Sequence, residues 1–214
     1  MDAIKTEYRR NLPHLQPVGG LFFVTFRLFG TIPATVLRAY ETESLRCVQQ
    51  LRRENPPDLG LQLYREEKRK FARFDALLDK NLTDVCYLQA PELARIVQES
   101  LLFYDGKAYD LLISCIMPNH VHAVFDFSQQ LTHTAEFLFA DSSETEYRQL
   151  YELLKVIKGY SARKCNERLG RTGAFWQRES YDHLIRDARE LTNIVAYVLD
   201  NPVKAGLTEA VQEW

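Results

Sequence analysis

Two of the chain's five histidines stand two residues apart in "CIMPNHVHAVFDF", residues 115–127. Alternate side chains of a strand share a face, so His120 and His122 point the same way, with Val124 and Asp126. Val121, Ala123, Phe125 and Phe127 take the other side, which on this reading faces the core. Two neutral imidazoles about two strand rises apart can converge on one cation. Alone, such a pair is more often two surface or core-edge histidines than two ligands, and two ligands make an incomplete site.

A second chemical feature lies in "RDARELTNIVAYVLDNPVKAGL" near the C-terminus. Asp187 and Glu190 have capping-box spacing, and the helix is expected to cover about 188–200 and to stop at Asn201-Pro202. Leu191, Ile194, Val195, Val198 and Leu199 form its apolar stripe. At about 100° per residue, Tyr197 falls roughly 130° from the centre of that stripe. It shares its side with Glu190, Asn193 and Asn201, which this reading turns toward solvent. A boundary aromatic is one account of Tyr197; a nucleophile beside a two-imidazole cation is the other.

Several elements must position these residues. "GGLFFVTFRLFG" is β-branched and aromatic between glycines, so residues 21–28 read as a strand. Pro33 opens a helix with Val36, Leu37, Tyr40, Leu45, Val48 and Leu51 near helical spacing, and "NPPDLG" stops it. Residues 61–82 read as helical or partly irregular. "APELARIVQESLLFYDG" is a helix with Leu93, Ile96, Val97 and Leu101 on one stripe. "YDLLISCIM" and "HVHAVFDF" form two strands joined through "MPNH" as an antiparallel hairpin. A basic amphipathic helix at 148–169, a short strand within "GRTGAFWQRESYDHLIRD" and the final helix complete the order. The expected architecture is α+β, with helices packed on an antiparallel sheet.

The 214 residues and 46% apolar content fit one domain over 1–214, with extra length near 55–82 and 128–147. No run of eighteen apolar residues and no signal-like N-terminus occur, so a cytoplasmic protein without membrane contact is expected. Cys47, Cys86, Cys115 and Cys165 are too scattered for a disulfide framework or a cysteine zinc site. The net charge is −2, yet residues 148–189 carry ten Lys or Arg against five acids, a local +5. A solvated helix face accounts for such a run as readily as a polyanion site does.

The motifs "MPNHVHAVF", "GAFWQRESYDHLIRD" and "YVLDNPVKAGL", with the opening "RRNLPHLQPVGGLFFVTFRL", resemble the single-tyrosine HUH transposases, an insertion-sequence type of enzyme. The likeness is closest to their REP-associated tyrosine transposase branch. The resemblance implies a ferredoxin-like, RRM-like sheet with the histidine pair on a central strand and the nucleophile on a later helix. Carried over by position, His120 and His122 fall on the metal-binding histidines and Tyr197 on the nucleophile. Asn201 falls where a polar side chain completes the metal shell. The pI near 6.2 and the two long segments depart from the family's usual character.

A tyrosine hydroxyl has a pKa near 10 and needs help to attack a phosphodiester at neutral pH. Mg²⁺ or Mn²⁺ held by His120, His122 and Asn201 would polarise a phosphate oxygen. Tyr197 would then form a 5′-phosphotyrosine link and release a 3′-OH. Single-stranded or hairpin DNA suits such a site, because its backbone can bend and its bases can stack on aromatics. Lys155, Lys158, Arg163 and Lys164, with Trp176 and Arg178, are the candidate DNA contacts; Trp176 reads equally as a core residue. The protein is expected to act as a monomer or homodimer. Two rivals stay open: a domesticated, non-catalytic nucleic-acid-binding protein on the same fold, and an unrelated H-x-H metal-dependent hydrolase.

Overall fold

The computed structural model describes residues 7–9, 13–131 and 147–214. Most of the extra length anticipated at 128–147 lies outside the described residues. Two short strands, β1 (Glu7–Arg9) and β2 (Pro13–Leu15), pair antiparallel near the N-terminus. The main sheet is built from β3 (Leu21–Arg27), β4 (Asp110–Ile116), β5 (His120–Asp126) and β6 (Tyr181–Leu184). Its spatial order is β4-β5-β3-β6, and every neighbouring pair is antiparallel. The five helices are α1 (Ala34–Glu54), α2 (Leu59–Asp79), α3 (Pro91–Leu102), α4 (Leu150–Arg168) and α5 (Ala188–Lys204). The α+β class and the antiparallel sheet stand as expected.

The chain divides into two compact units, one of residues 1–29 and 87–214, the other of residues 30–86. The second is the helical hairpin α1–α2. Tyr40 and Phe74 stack obliquely across it at 5.6 Å, and the Tyr40 hydroxyl donates to the Lys70 carbonyl. Burial pushes the Tyr40 phenol up to about 12. Asn55 closes α1 in the left-handed conformation, φ 43°, which asparagine tolerates better than most residues. The segment 61–82 is therefore regular helix to Asp79.

In the first unit the two central strands, β5 and β3, are buried almost throughout. Cross-strand partners point to one side, so Phe22, Val24 and Phe26 share a face with Val121, Ala123 and Phe125. Helices α3 and α4 cover that face. The Tyr109 ring lies edge-on to Phe125 and its hydroxyl donates to the Leu101 carbonyl of α3. Trp176 sits edge-on to Phe26 at 4.8 Å and donates Nε1–H to Ser161 Oγ of α4. The opposite face carries Thr25, Arg27, His120 and His122, and helix α5 lies against it. Both faces of β5 are thus interior, whereas the alternation had marked only the Val121 side as core.

Helix α5 corrects two expectations. It runs to Lys204, with Pro202 inside its last turn. The residue lost to the ladder there is the Pro202 N–H, and Ala205 N–H to Asn201 O closes the turn beyond it. The orientation also differs: Glu190, Val198, Asn201 and Pro202 are the buried residues, while Leu199 is 43% and Val203 37% exposed. Glu190 and Asn201, expected to face solvent, are interior together with Val198 of the apolar stripe, while Asn193 is exposed, so the helix turns the border between its two sides inward. The physical reason is the character of the sheet face it meets: an all-apolar stripe set on buried imidazoles would leave ring nitrogens without polar partners.

All four cysteines are free thiols. Burial pushes Cys115 up to about 12 and Cys165 up to about 11, which leaves both as unreactive packing groups.

Candidate functional site

The antiparallel register sets Thr25 opposite His122 and Arg27 opposite His120, and on the other side it sets Cys115 opposite His122. The hairpin between β4 and β5 closes through Met117 N–H to His120 O, so "MPN" delivers His120 at the first position of the strand. Both imidazoles are interior: His120 is 1% and His122 0% exposed. Their Nε2 atoms stand 2.9 Å apart. On the far side of each ring, His120 Nδ1 meets Asn119 Oδ1 at 2.6 Å and His122 Nδ1 meets Thr25 Oγ1 at 2.7 Å. Phe23 stacks on His122 at 5.7 Å. Each ring is thereby fixed in plane and direction.

Helix α5 brings the other half. Its N-terminus is pinned by Asp187, whose carboxylate accepts Glu190 N–H at 2.8 Å. Glu190 itself accepts from Arg186 N–H and, at 3.1 Å, contacts His183 Nε2 on β6. The capping residues are those read from the sequence, but Glu190 returns its bond to Arg186 rather than to Asp187. Anchored in this way, α5 sets the Tyr197 ring 5.5 Å from the His122 ring and 6.0 Å from Phe23, edge-on to both. The Lys204 ammonium lies 5.0 Å from the Tyr197 centroid, within cation–π range. Asn201, 1% exposed, places Nδ2 3.3 Å from His122 Nε2, and its Oδ1 is buried with no hydrogen-bond partner.

These residues fit a divalent cation. The two Nε2 atoms converge at a separation that two adjacent ligands of one ion at about 2.1 Å span. The unpartnered Asn201 oxygen is a hard donor one amide rotation from the same point; exchanging oxygen and nitrogen of an amide is a choice the hydrogen-bond network makes. Two imidazoles with a carbonyl oxygen suit a borderline or hard divalent ion.

The basic residues take other positions. Helix α4 covers the sheet face opposite the histidines, so its cations and the imidazole pair lie on different sides of the sheet. Lys155 and Arg163 are exposed, and Arg163 lies 5.8 Å from the Tyr160 ring centroid. Lys164 pairs with Glu167 at 3.2 Å. Lys158 donates to the Gln177 carbonyl, the Arg178 carbonyl and Ser180 Oγ, so its charge ties the 177–180 segment to α4. Arg178 is exposed. Trp176 is 7% exposed, enclosed by Phe26, Phe175 and Ser161; it is a core residue and offers no open ring to a base. His183 belongs to the α5 anchor.

Two residues escaped the sequence reading: Thr25 and Asn119. Asn119 precedes the pair in "PNHVH", a position from which an amide reaches the next ring. Thr25 is 97 residues from His122, and only the strand pairing joins them.

Fold and site together define a class: an antiparallel α+β protein whose central strand presents an H-x-H pair to a tyrosine on the C-terminal helix. No family model matches the chain. A curated protein of Haemophilus influenzae, named as a REP-associated tyrosine transposase, is 28% identical over 106 residues, 50% of this chain and 56% of that protein. The chain thus matches about half the length of this relative. A solved structure of a REP-associated tyrosine transposase bound to a REP hairpin aligns with a TM-score of 0.46 and 15% identity, over 98% of this chain and 80% of that one. The resemblance to the REP-associated tyrosine transposases carried by the motifs is borne out in the curated relative. No helix among the described residues is long and apolar enough to cross a membrane.

Proposed function

We propose that this protein is a metal-dependent DNA strand-cleaving and strand-joining enzyme of the single-tyrosine HUH type, acting on single-stranded or hairpin DNA. The observation that carries the reading is the meeting of His120 and His122 Nε2 atoms, 2.9 Å apart, with the Tyr197 ring 5.5 Å from His122. The name of the curated relative supports it. The strand order, written along the sheet as fourth, first, third, second of a β-α-β-β-α-β unit, supports a ferredoxin-like assignment.

His120, His122 and Asn201 would hold Mg²⁺ or Mn²⁺, which when bound supplies Lewis-acid polarisation of the scissile phosphate. Tyr197 Oη bonds to phosphorus as the bond to the 3′ oxygen breaks. The phenol gives up its proton and the departing 3′ oxygen gains one, leaving a 5′-phosphotyrosine and a free 3′-OH. Because the phosphodiester energy is kept in the covalent link, another 3′-OH can reverse the step and join strands. Lys204, over the Tyr197 ring, places a positive charge beside the reacting phosphate. Lys155, Arg163 and Lys164 of α4, with Arg178 of the following segment, are the proposed backbone contacts.

The test is incubation with a 5′- or 3′-labelled hairpin carrying single-stranded flanks, plus Mg²⁺ or Mn²⁺, followed by denaturing gel. A covalent adduct that Tyr197→Phe abolishes is the expected result. Adduct from the Tyr197→Phe protein overturns the nucleophile. The burial of His120 and His122 favours one rival, a protein that binds such DNA without cutting. Tight binding with no adduct across divalent ions and substrates would establish it.

A further inference from the structure

We propose that Arg27 is a phosphate-binding group of the site: its guanidinium holds a non-bridging oxygen of the scissile phosphate from the strand side, and through that shared anion it couples the binding of DNA to the binding of the cation. This rests on the reading of the histidine pair and Tyr197 given above.

Strand register supplies the placement. Arg27 is the last residue of β3 and lies directly across from His120. The main-chain carbonyls of the two turn away from each other: Arg27 O accepts Gln177 N–H, and His120 O accepts Met117 N–H. One position on, Leu28 N–H donates to Asn119 O. Arg27 and His120 are therefore a non-hydrogen-bonded pair, the kind whose side chains stand closer, at the short end of about 4.5–5.5 Å between Cβ atoms. Thr25 and His122, two residues along, occupy the same kind of position, and there the side chains meet at 2.7 Å. Arg27 thus leaves the sheet beside His120, on the histidine face, and is 6% exposed.

Charge makes that position informative. Arginine keeps its charge in a protein interior, and an interior arginine is rare without an anion to meet. Arg27 already takes part in interactions within the fold, and its five N–H donors allow a phosphate oxygen to be added to them. A divalent cation between His120 and His122 would stand close to this side chain in a water-poor space, where like charges oppose each other far more than in water. An anion bound to both turns that opposition into attraction. The proposed substrate is a phosphodiester, whose two non-bridging oxygens can meet two partners, the cation and the guanidinium fork. Lys204 is a separate case: it belongs to α5, 5.0 Å from the Tyr197 centroid, and approaches from the helix side.

Two effects of opposite character follow. Removing the Arg27 charge should leave the cation alone bound at least as tightly as before, and should weaken the help that cation and DNA give each other. A residue that only props His120 would lose both together.

The experiment uses the full chain carrying Tyr197→Phe, so that the DNA stays intact. Fluorescence anisotropy reads the affinity for a labelled hairpin with and without Mn²⁺, and calorimetry reads Mn²⁺ without DNA. In this parent protein Mn²⁺ should tighten the hairpin roughly 10- to 100-fold. Arg27→Gln should remove most of that factor, since one charge-assisted contact is worth about as much, and should bind Mn²⁺ alone as tightly as the parent or more so. Arg27→Lys, which keeps the charge and loses the fork, should fall between. A folded Arg27→Gln protein with the parent's coupling overturns the proposal, as does one whose Mn²⁺ affinity falls in step with its hairpin affinity. A parent in which Mn²⁺ and hairpin do not affect each other overturns it as well. Where neither variant folds, the parent is tested with a hairpin whose single-stranded flanks carry uncharged methylphosphonates: loss of coupling supports the shared phosphate, and full coupling overturns it. The proposed activity fails by a different readout, the absence of a covalent adduct from protein that has Tyr197 in place.

Discussion

The two faces of the central sheet are equally buried and do opposite things. On the α3–α4 side, Phe22, Val24, Phe26, Val121, Ala123 and Phe125 meet aromatic rings and aliphatic side chains, and the polar groups there, Trp176 Nε1 and Lys158 Nζ, are tied to Ser161, Ser180 and backbone carbonyls. On the α5 side the same two strands present Thr25, His120 and His122, and the helix answers with Tyr197 and Asn201. Burial is nearly equal, and each side holds an unpartnered amide oxygen, Asn166 Oδ1 on α4 and Asn201 Oδ1 on α5, but only on the α5 side do two ring nitrogens aim at one point beside it. A buried polar group without a partner costs roughly 1–3 kcal/mol. On the α5 side a cation between the rings would remove that cost, and it is this convergence of donors that distinguishes the face proposed to bind from the face that packs.

Five substitutions would break or sharpen this contrast. Tyr197→Phe should lower covalent adduct formation at least roughly 10³-fold, as removal of a nucleophile does, while circular dichroism reports an unchanged melting temperature. Phe125→Ala, on the other face, should cost about 3–5 kcal/mol of stability for the lost ring and the cavity left behind. Urea unfolding measures it, and the protein that stays folded should bind Zn²⁺ as the wild type does. A small stability loss with a large affinity loss would instead mean that the apolar face also sets the site.

Trp176→Phe should cost about 1 kcal/mol, the value of one buried hydrogen bond, and leave hairpin affinity unchanged in a fluorescence titration. A loss of about 1–3 kcal/mol in binding, the value of a stacked base, would return Trp176 to the nucleic-acid surface. The smallest effect separates cations on one helix. Arg163→Ala should reduce the salt slope of hairpin binding by about 0.7–0.9, one phosphate contact, at unchanged stability. Lys158→Ala should lower the melting temperature instead, because three acceptors in the 177–180 segment lose their donor.

The strands at 21–27, 110–116 and 120–126 and helices α1, α3, α4 and α5 were legible because their apolar periods and punctuating Pro, Gly and Asn are local properties. So was the pairing of two histidines on one side of a strand, since alternation needs nothing beyond the strand itself. The exact side of α5 that turns inward was not legible. Hydrophobic periodicity assigns the apolar stripe to the core, and Val198 is indeed buried; but the partner surface carries imidazoles, and Glu190 and Asn201 are buried with it while Leu199 stays exposed. The surroundings of Lys158 and Trp176 were open for a related reason, since a cation and an aromatic near a motif carry no mark in sequence of whether their acceptors and neighbours are internal.

The amino-acid sequence by itself determined which chemistry is present: two imidazoles two residues apart, a phenol four residues before an amide, and a basic helix between them. The tertiary structure decided how these meet. Pairing β3 with β5 put the Thr25 hydroxyl behind His122 across 97 positions of chain, and packing α5 on the same face brought Tyr197 and Asn201 to the rings. Local spacing fixes which side chains share a strand face or a helix side, but a contact between elements depends on register and on which surfaces exclude water together, and those are properties of the assembled fold.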